Sequence, residues 1–203
     1  KPFKFFVNNG EITIVSDFEE LKPVAAGSTL RDAFLAASKK HFPPTGTIPP
    51  ELFFTAPQYN TWIELQRNQN QAGIEKYADD IVKNGFPIGV FMIDGGWQKY
   101  QGNYEFRPEA FSDPTAMFDK IKSLGFKSIL WVAPFVAPDS AEFRDLKKKG
   151  LLAMRNSRNS PAILHWWSGY SAAYDLTNPK SADALKEVLR GMQKKYGMDG
   201  FKF

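Results

Sequence analysis

The chain has 203 residues, 43% of them apolar and 24% charged, with a formal net charge of +4. That suits one sizeable globular domain or parts of two, and no apolar run approaches the roughly 20 residues that span a bilayer, so no membrane partner is expected. Cys is absent and only two His occur, His41 and His165, which excludes disulfides and thiolate metal sites and disfavours a histidine-rich metal centre.

The chain opens at Lys1, with neither Met nor a leader-type segment, and so reads as processed, trimmed or a fragment. Residues 1–26 alternate in strand fashion, with Lys4-Phe5-Phe6-Val7 and Ile12-Thr13-Ile14-Val15 joined through Asn8-Asn9-Gly10. This predicts a β-hairpin with an Asn-Gly turn. From Thr29 to Phe42 the pattern turns helical, with Leu30, Ala33, Phe34 and Ala37 on one face. The Pro-rich stretch from Phe42 to Pro50 then marks a domain boundary. Residues 1–50 are read as the end of a mostly β domain and its linker, and residues 51–203 as a second domain.

Past the boundary one grammar repeats: a helix ends at Gly, and an apolar strand comes next. Helices are predicted over Asn70–Asn84, Pro114–Leu124 and Pro179–Tyr196, stopping at Gly85, Gly125 and Gly197. Asp113-Pro114 and Asn178-Pro179 supply an N-cap followed by a first-turn proline. Strands are predicted at Glu51–Ala56, Ile88–Ile93, Ser128–Ala133 and Gly200–Phe203. The cationic run Lys147-Lys148-Lys149 reads as a solvated helix end, not a nucleic-acid patch. Arg155 and Arg158 flank Asn156 at an expected loop tip.

Alternating strands and helices imply a parallel sheet. No Gly-rich phosphate loop comes after a strand, which disfavours a nucleotide site. The strand ends carry aromatic and charged residues instead: Trp62 after the first, Asp94 and Trp97 after the second, Trp131 in the third, a long loop with Trp166, Trp167 and Asp175, and Lys202 in the fourth. Residues just past strand C-termini form the active rim of a (β/α)8 barrel. Carboxylates there accept hydrogen bonds from sugar hydroxyls, and indoles stack on sugar rings. Lys202 near an inner strand end needs a carboxylate partner, and the adjacent sequence shows none. Asp175 is expected to fix the turn into the next helix. Glu64 and Arg67 carry no distinguishing pattern.

Several segments, in order, resemble glycoside hydrolase family 31: Asp94 with Trp97, Phe111-Ser112-Asp113-Pro114, Leu124-Gly125-Phe126-Lys127, Trp131-Val132-Ala133-Pro134, Trp166-Trp167-Ser168-Gly169, Asp175-Leu176-Thr177-Asn178-Pro179, and Tyr196 to Phe203. The resemblance runs from about Phe53 to the end. It implies the first half of a (β/α)8 TIM barrel preceded by the tail of an N-terminal β-sandwich. It also implies a retaining α-glycosidase that needs no cofactor or metal and acts on an oligosaccharide or glycoside. Asp94 would bind hydroxyls of the −1 sugar, Trp131 and Trp167 would wall that subsite, and Lys202 would hold the charge of the nucleophile. Trp62 and Trp97 are further substrate-binding candidates. The family's nucleophile falls at the position after Phe203 and the acid/base further on, so neither catalytic carboxylate is expected within residues 1–203. Gly95-Gly96 stands where relatives often carry larger or acidic residues.

Terminal α-galactosides or α-glucosides are the expected substrates. The alternatives are an α-galactosidase of a related barrel family and a non-catalytic carbohydrate-binding barrel. An exported location is slightly favoured over a cytoplasmic one.

Overall fold

The computed structural model describes residues 3–16, 22, 27–155 and 159–203. The chain divides into two compact units, Lys1–Pro49 and Pro50–Phe203. In the first, β1 (Phe3–Asn8) pairs antiparallel with β2 (Glu11–Ser16), Asn8 standing opposite Glu11. Asn9 at φ 48° and Gly10 at φ 82° make the turn, the positive-φ pair that matches the right-handed twist of a hairpin. Helix α1 (Leu30–His41) opens with a capping box. There Asp32 N–H donates to Thr29 Oγ1, and Thr29 N–H donates to Asp32 Oδ2, both at 3.1 Å. The expected loop tip at Asn156 and Arg158 lies outside the described residues.

The second unit holds α2 (Leu52–Thr55), β3 (Gln58–Asn60), α3 (Thr61–Leu65), α4 (Gln71–Lys83), β4 (Val90–Ile93), α5 (Pro114–Ser123), β5 (Lys127–Trp131), β6 (Phe135–Val136), α6 (Ala141–Lys148), β7 (Ile163–Trp166), β8 (Gly169–Ala173), α7 (Pro179–Tyr196) and β9 (Gly200–Lys202). Strands β3, β4, β5 and β9 form one parallel sheet in that order. Helices α4, α5 and α7 lie between them in sequence. This is the run of β/α units that begins a TIM barrel.

The helices start where side chains cap them. Asn70 accepts from Gly73 N–H, Asp113 from Ala116 N–H and Asn178 from Lys180 N–H. Each then buries a stripe: Ile74, Ala78 and Ile81 on α4, Met117, Phe118 and Ile121 on α5, and Leu185, Met192 and Tyr196 on α7. These pack with Phe91, Ile93 and Leu130 of the sheet into one core.

Two expectations need correction. Glu51–Ala56 is not the first strand: Leu52–Thr55 is a helical turn, and the strand comes after Pro57 as β3. Phe53 and Phe54 N–H donate to the carbonyls of Pro50 and Glu51, and the Thr55 hydroxyl also donates to Glu51 O. Those local bonds close the turn right after the diproline. The expected long loop is not unstructured either. α6 ends at Lys147-Lys148, the helix end read from the cationic run, and β6, β8 and β7 form a three-stranded antiparallel sheet in the order β6-β8-β7.

Candidate active site

The parallel strands deliver their polar and aromatic residues from one end of the sheet. Asn60 closes β3, Asp94 comes directly after β4, Trp131 closes β5 and Lys202 closes β9. With Trp62 and Trp167 these residues line a cavity of about 380 Å³.

Asp94 is 8% exposed. Its Oδ1 accepts from Gly95 N–H at 2.7 Å, and its Oδ2 accepts from Lys202 Nζ at 2.8 Å. Lys202 therefore has its carboxylate, brought from a distant part of the chain. Behind the carboxylate sits a buried polar brace. Asp94 N–H donates to Thr61 Oγ1 at 3.0 Å, and the Thr61 hydroxyl donates to Gln69 Oε1 at 2.7 Å. Gln69 Nε2 donates to the carbonyls of Gln66 (2.8 Å) and Thr61 (3.3 Å). Arg107 donates from Nη2 to Gln69 O and from Nε to Gly96 O, both at 3.1 Å. Thr61 and Gln69 are fully buried, and every polar atom of such a network needs its partner. The turn Asp94-Gly95-Gly96 is thus fixed from below.

The indoles form a wall. Trp131 and Trp167 stand 6.0 Å apart by ring centroids, and Trp62 and Trp167 stand 6.5 Å apart. Trp167 lies at the tip of the β7–β8 hairpin and is 65% exposed. Neighbouring Trp166 anchors that tip, its ring packed 4.5 Å from that of Phe135 at a 52° tilt and its indole N–H donating to Ser171 Oγ at 3.1 Å. Trp131 lies over Gly95: a Cβ on that glycine would stand 3.2 Å from the indole.

Trp97 does not belong to the wall, contrary to expectation. It is fully buried, with its ring 4.8 Å from Phe106 and its indole N–H donating to the Trp131 carbonyl at 2.8 Å. Gly96, at φ 101°, makes the bend that precedes it. Trp97 meets the core aromatics and holds Trp131 by its backbone, with no face left for a sugar. Asp175 keeps the structural role expected of it: Oδ1 accepts from Thr177 N–H at 3.1 Å and from Thr177 Oγ1 at 2.6 Å, just before α7.

Among the described residues no three His, Cys, Asp or Glu side chains converge as metal donors. The cavity offers a charged acceptor held in place, an ammonium with N–H donors to spare, and apolar ring faces. That set suits a neutral polyhydroxylated ring.

Comparison with known proteins agrees with this geometry. Residues 47–203 match the TIM-barrel domain of glycosyl hydrolases family 31. The myogenesis-regulating glycosidase of Mus musculus is 26% identical over 180 residues, covering 89% of this chain and 25% of its own length. The α-xylosidase XylQ of Lactiplantibacillus pentosus is 30% identical over 150 residues, 71% of this chain and 19% of its own length. The chain thus spans a quarter or less of either relative. Among solved structures, the Flavobacterium johnsoniae dextranase complexed with glucose superposes with a TM-score of 0.67 at 19% identity, over 76% of this chain and 19% of that one. An α-xylosidase from a soil metagenome, complexed with xylose, gives 0.64 at 23% identity, over 81% and 24%. With its parallel strands in barrel order and the family's domain matched over most of its length, this chain belongs to glycosyl hydrolase family 31.

Proposed function

We propose that the protein is a retaining α-glycosidase that removes a terminal α-linked sugar, a galactoside or a glucoside, and that this chain builds the sugar-binding side of its active site. One observation carries the reading. At the strand ends Asp94 is held by Lys202 and faces a cavity walled by Trp131 and Trp167. A carboxylate oxygen has lone pairs beyond the one each donor occupies, so Asp94 can still accept from sugar hydroxyls. The resemblance places the nucleophile directly after Phe203, within reach of the same ammonium, which has two further N–H groups to give. A cation there keeps the nucleophile ionised. Retention then proceeds through a glycosyl-enzyme between two carboxyl groups about 5 Å apart.

The test is hydrolysis of 4-nitrophenyl α-galactoside, α-glucoside and α-xyloside by the full-length protein, with the product anomer followed by proton NMR. Turnover of the galactoside or the glucoside, with retention, is expected, and turnover of the xyloside alone would overturn the choice of sugar. Asp94→Ala should lower kcat/KM by about 10²–10³-fold, because a buried hydroxyl loses a charged partner. Binding of these glycosides without cleavage would make the protein a lectin-like barrel and end the proposal.

A further inference from the structure

The indole wall has a second side. Trp62, Trp131 and Trp167 also line another cavity, of about 440 Å³, which extends over Gly95 and Gly96 toward Arg67, Lys99 and Tyr170. Its charged lining is cationic throughout: Arg67, Lys99 and Arg107, with no carboxylate among the lining residues. Arg107 is already engaged, by two carbonyls and by Glu109 at 3.6 Å. Arg67 and Lys99 are exposed and form no ion pair with any described residue. Nearby Glu142 is occupied by the Tyr100 hydroxyl at 3.2 Å. The missing side chains at Gly95 and Gly96 leave the floor open. Any Cβ at Gly95 would press on Trp131.

A substrate whose terminal sugar lies against Asp94 would pass the edge of the indole wall into this second cavity with its other half. We propose that the second cavity receives the leaving-group side of the substrate and that Arg67 and Lys99 select one bearing a carboxylate, such as a uronate unit. This rests on the glycosidase reading above. A guanidinium pairs with a carboxylate through two parallel hydrogen bonds, while an ammonium supplies a point charge. Tyr170 and Ser168, also in the lining, offer hydroxyls to the same ring.

Two near-isosteric probes, one anionic and one neutral, test it: the 4-carboxyphenyl and 4-carbamoylphenyl α-glycosides of whichever sugar the full-length protein cleaves, the neutral one carrying the slightly better leaving group. Exposed pairs are individually weak, so the expected preference in kcat/KM for the charged probe is roughly five- to tenfold at low salt. It should fall to about one in the Arg67→Gln/Lys99→Gln double variant, and likewise at high ionic strength, where screening reaches such contacts. Equal rates on the two probes, or a preference that survives the double substitution, would overturn the proposal. Failure of the glycosidase reading shows up separately, as no turnover of any neutral glycoside. In that case the dissociation constants of the 4-carboxyphenyl and 4-carbamoylphenyl α-galactosides, read from tryptophan emission, decide the question. A ratio near one in the unsubstituted protein means that the cavity does not read charge.

Discussion

Lys202 and Asp94 stand 108 positions apart in the sequence and meet at 2.8 Å across β5, which pairs with the strands of both. The Asp94 side chain is 11% exposed and that of Lys202 38%, so the carboxylate is the more dependent partner. Lys202→Met should destabilise the protein by about 1–2 kcal/mol, less than for a fully buried pair because the ammonium reaches solvent. Urea unfolding of Lys202→Met, Asp94→Asn and the double variant should give a coupling energy of about 1 kcal/mol. Strict additivity would mean that the pair contributes nothing to stability.

Thr61 links the Asp94 backbone to Gln69 through one hydroxyl. Thr61→Val keeps the shape but strands a buried N–H and a buried amide oxygen, at a cost of about 2–4 kcal/mol. Thr61→Ser should lose under half of that. If Thr61→Ser instead destabilises more than Thr61→Val in chemical unfolding, the methyl group and not the hydroxyl is what matters at this position.

Trp97→Phe separates a core role from a sugar-binding one. Losing the indole leaves the Trp131 carbonyl without its donor and opens a gap beside Phe106, so the unfolding midpoint should fall by the equivalent of about 2–4 kcal/mol. A variant of unchanged stability but raised KM would instead place Trp97 against the substrate.

Tyr174 gives the fold an alkaline limit. Burial, and after it the nearby carboxylates of Asp145 and Glu142, push its phenol up to about 12, against about 10 in an unfolded chain. Below pH 10 both states hold the proton and the contribution is complete. Between 10 and 12 only the unfolded state releases it, so stability falls by about 1.4 kcal/mol per pH unit. Tyr104, raised mainly by burial, adds to the same trend. Guanidinium unfolding from pH 9 to 12 should show the decline, with a shallower slope in Tyr174→Phe. Equal slopes would mean that the Tyr174 phenol ionises as freely in the folded protein as in the unfolded chain.

The helices were legible because their ends carry local chemistry. Asn70, Asp113-Pro114 and Asn178-Pro179 act within a few residues, as do the glycines beyond the helix ends. Strands β4, β5 and β9 stood out as apolar runs soon after those glycines. The first strand was misplaced because Leu52-Phe53-Phe54 is as apolar as a strand, while the turn that claims it depends on carbonyls of the preceding Pro50 and Glu51. The sheet of β6, β8 and β7 escaped notice because its strands are short and, at Ile163, Leu164 and Tyr170, exposed, so no alternation of burial marks them. Asp94, Trp62, Trp131, Trp167 and Lys202, each singled out in the sequence, are brought by the fold to one cavity. That Lys202 belongs to Asp94, and that Trp97 points inward, depends on pairing through β5 and on the bend at Gly96, which sequence spacing does not encode.

The place of β9 in the sheet has a consequence for synthesis. Residues emerge at about 5–20 per second, so with 108 positions between Asp94 and Lys202 roughly 5–20 s pass after the acid leaves the ribosome before its ammonium exists. Through that interval the nascent chain can pair β3, β4 and β5, but the carboxylate at their rim must rely on water. The Asp94–Lys202 pair is acquired only after strands β3, β4 and β5, which frame the pocket, have emerged.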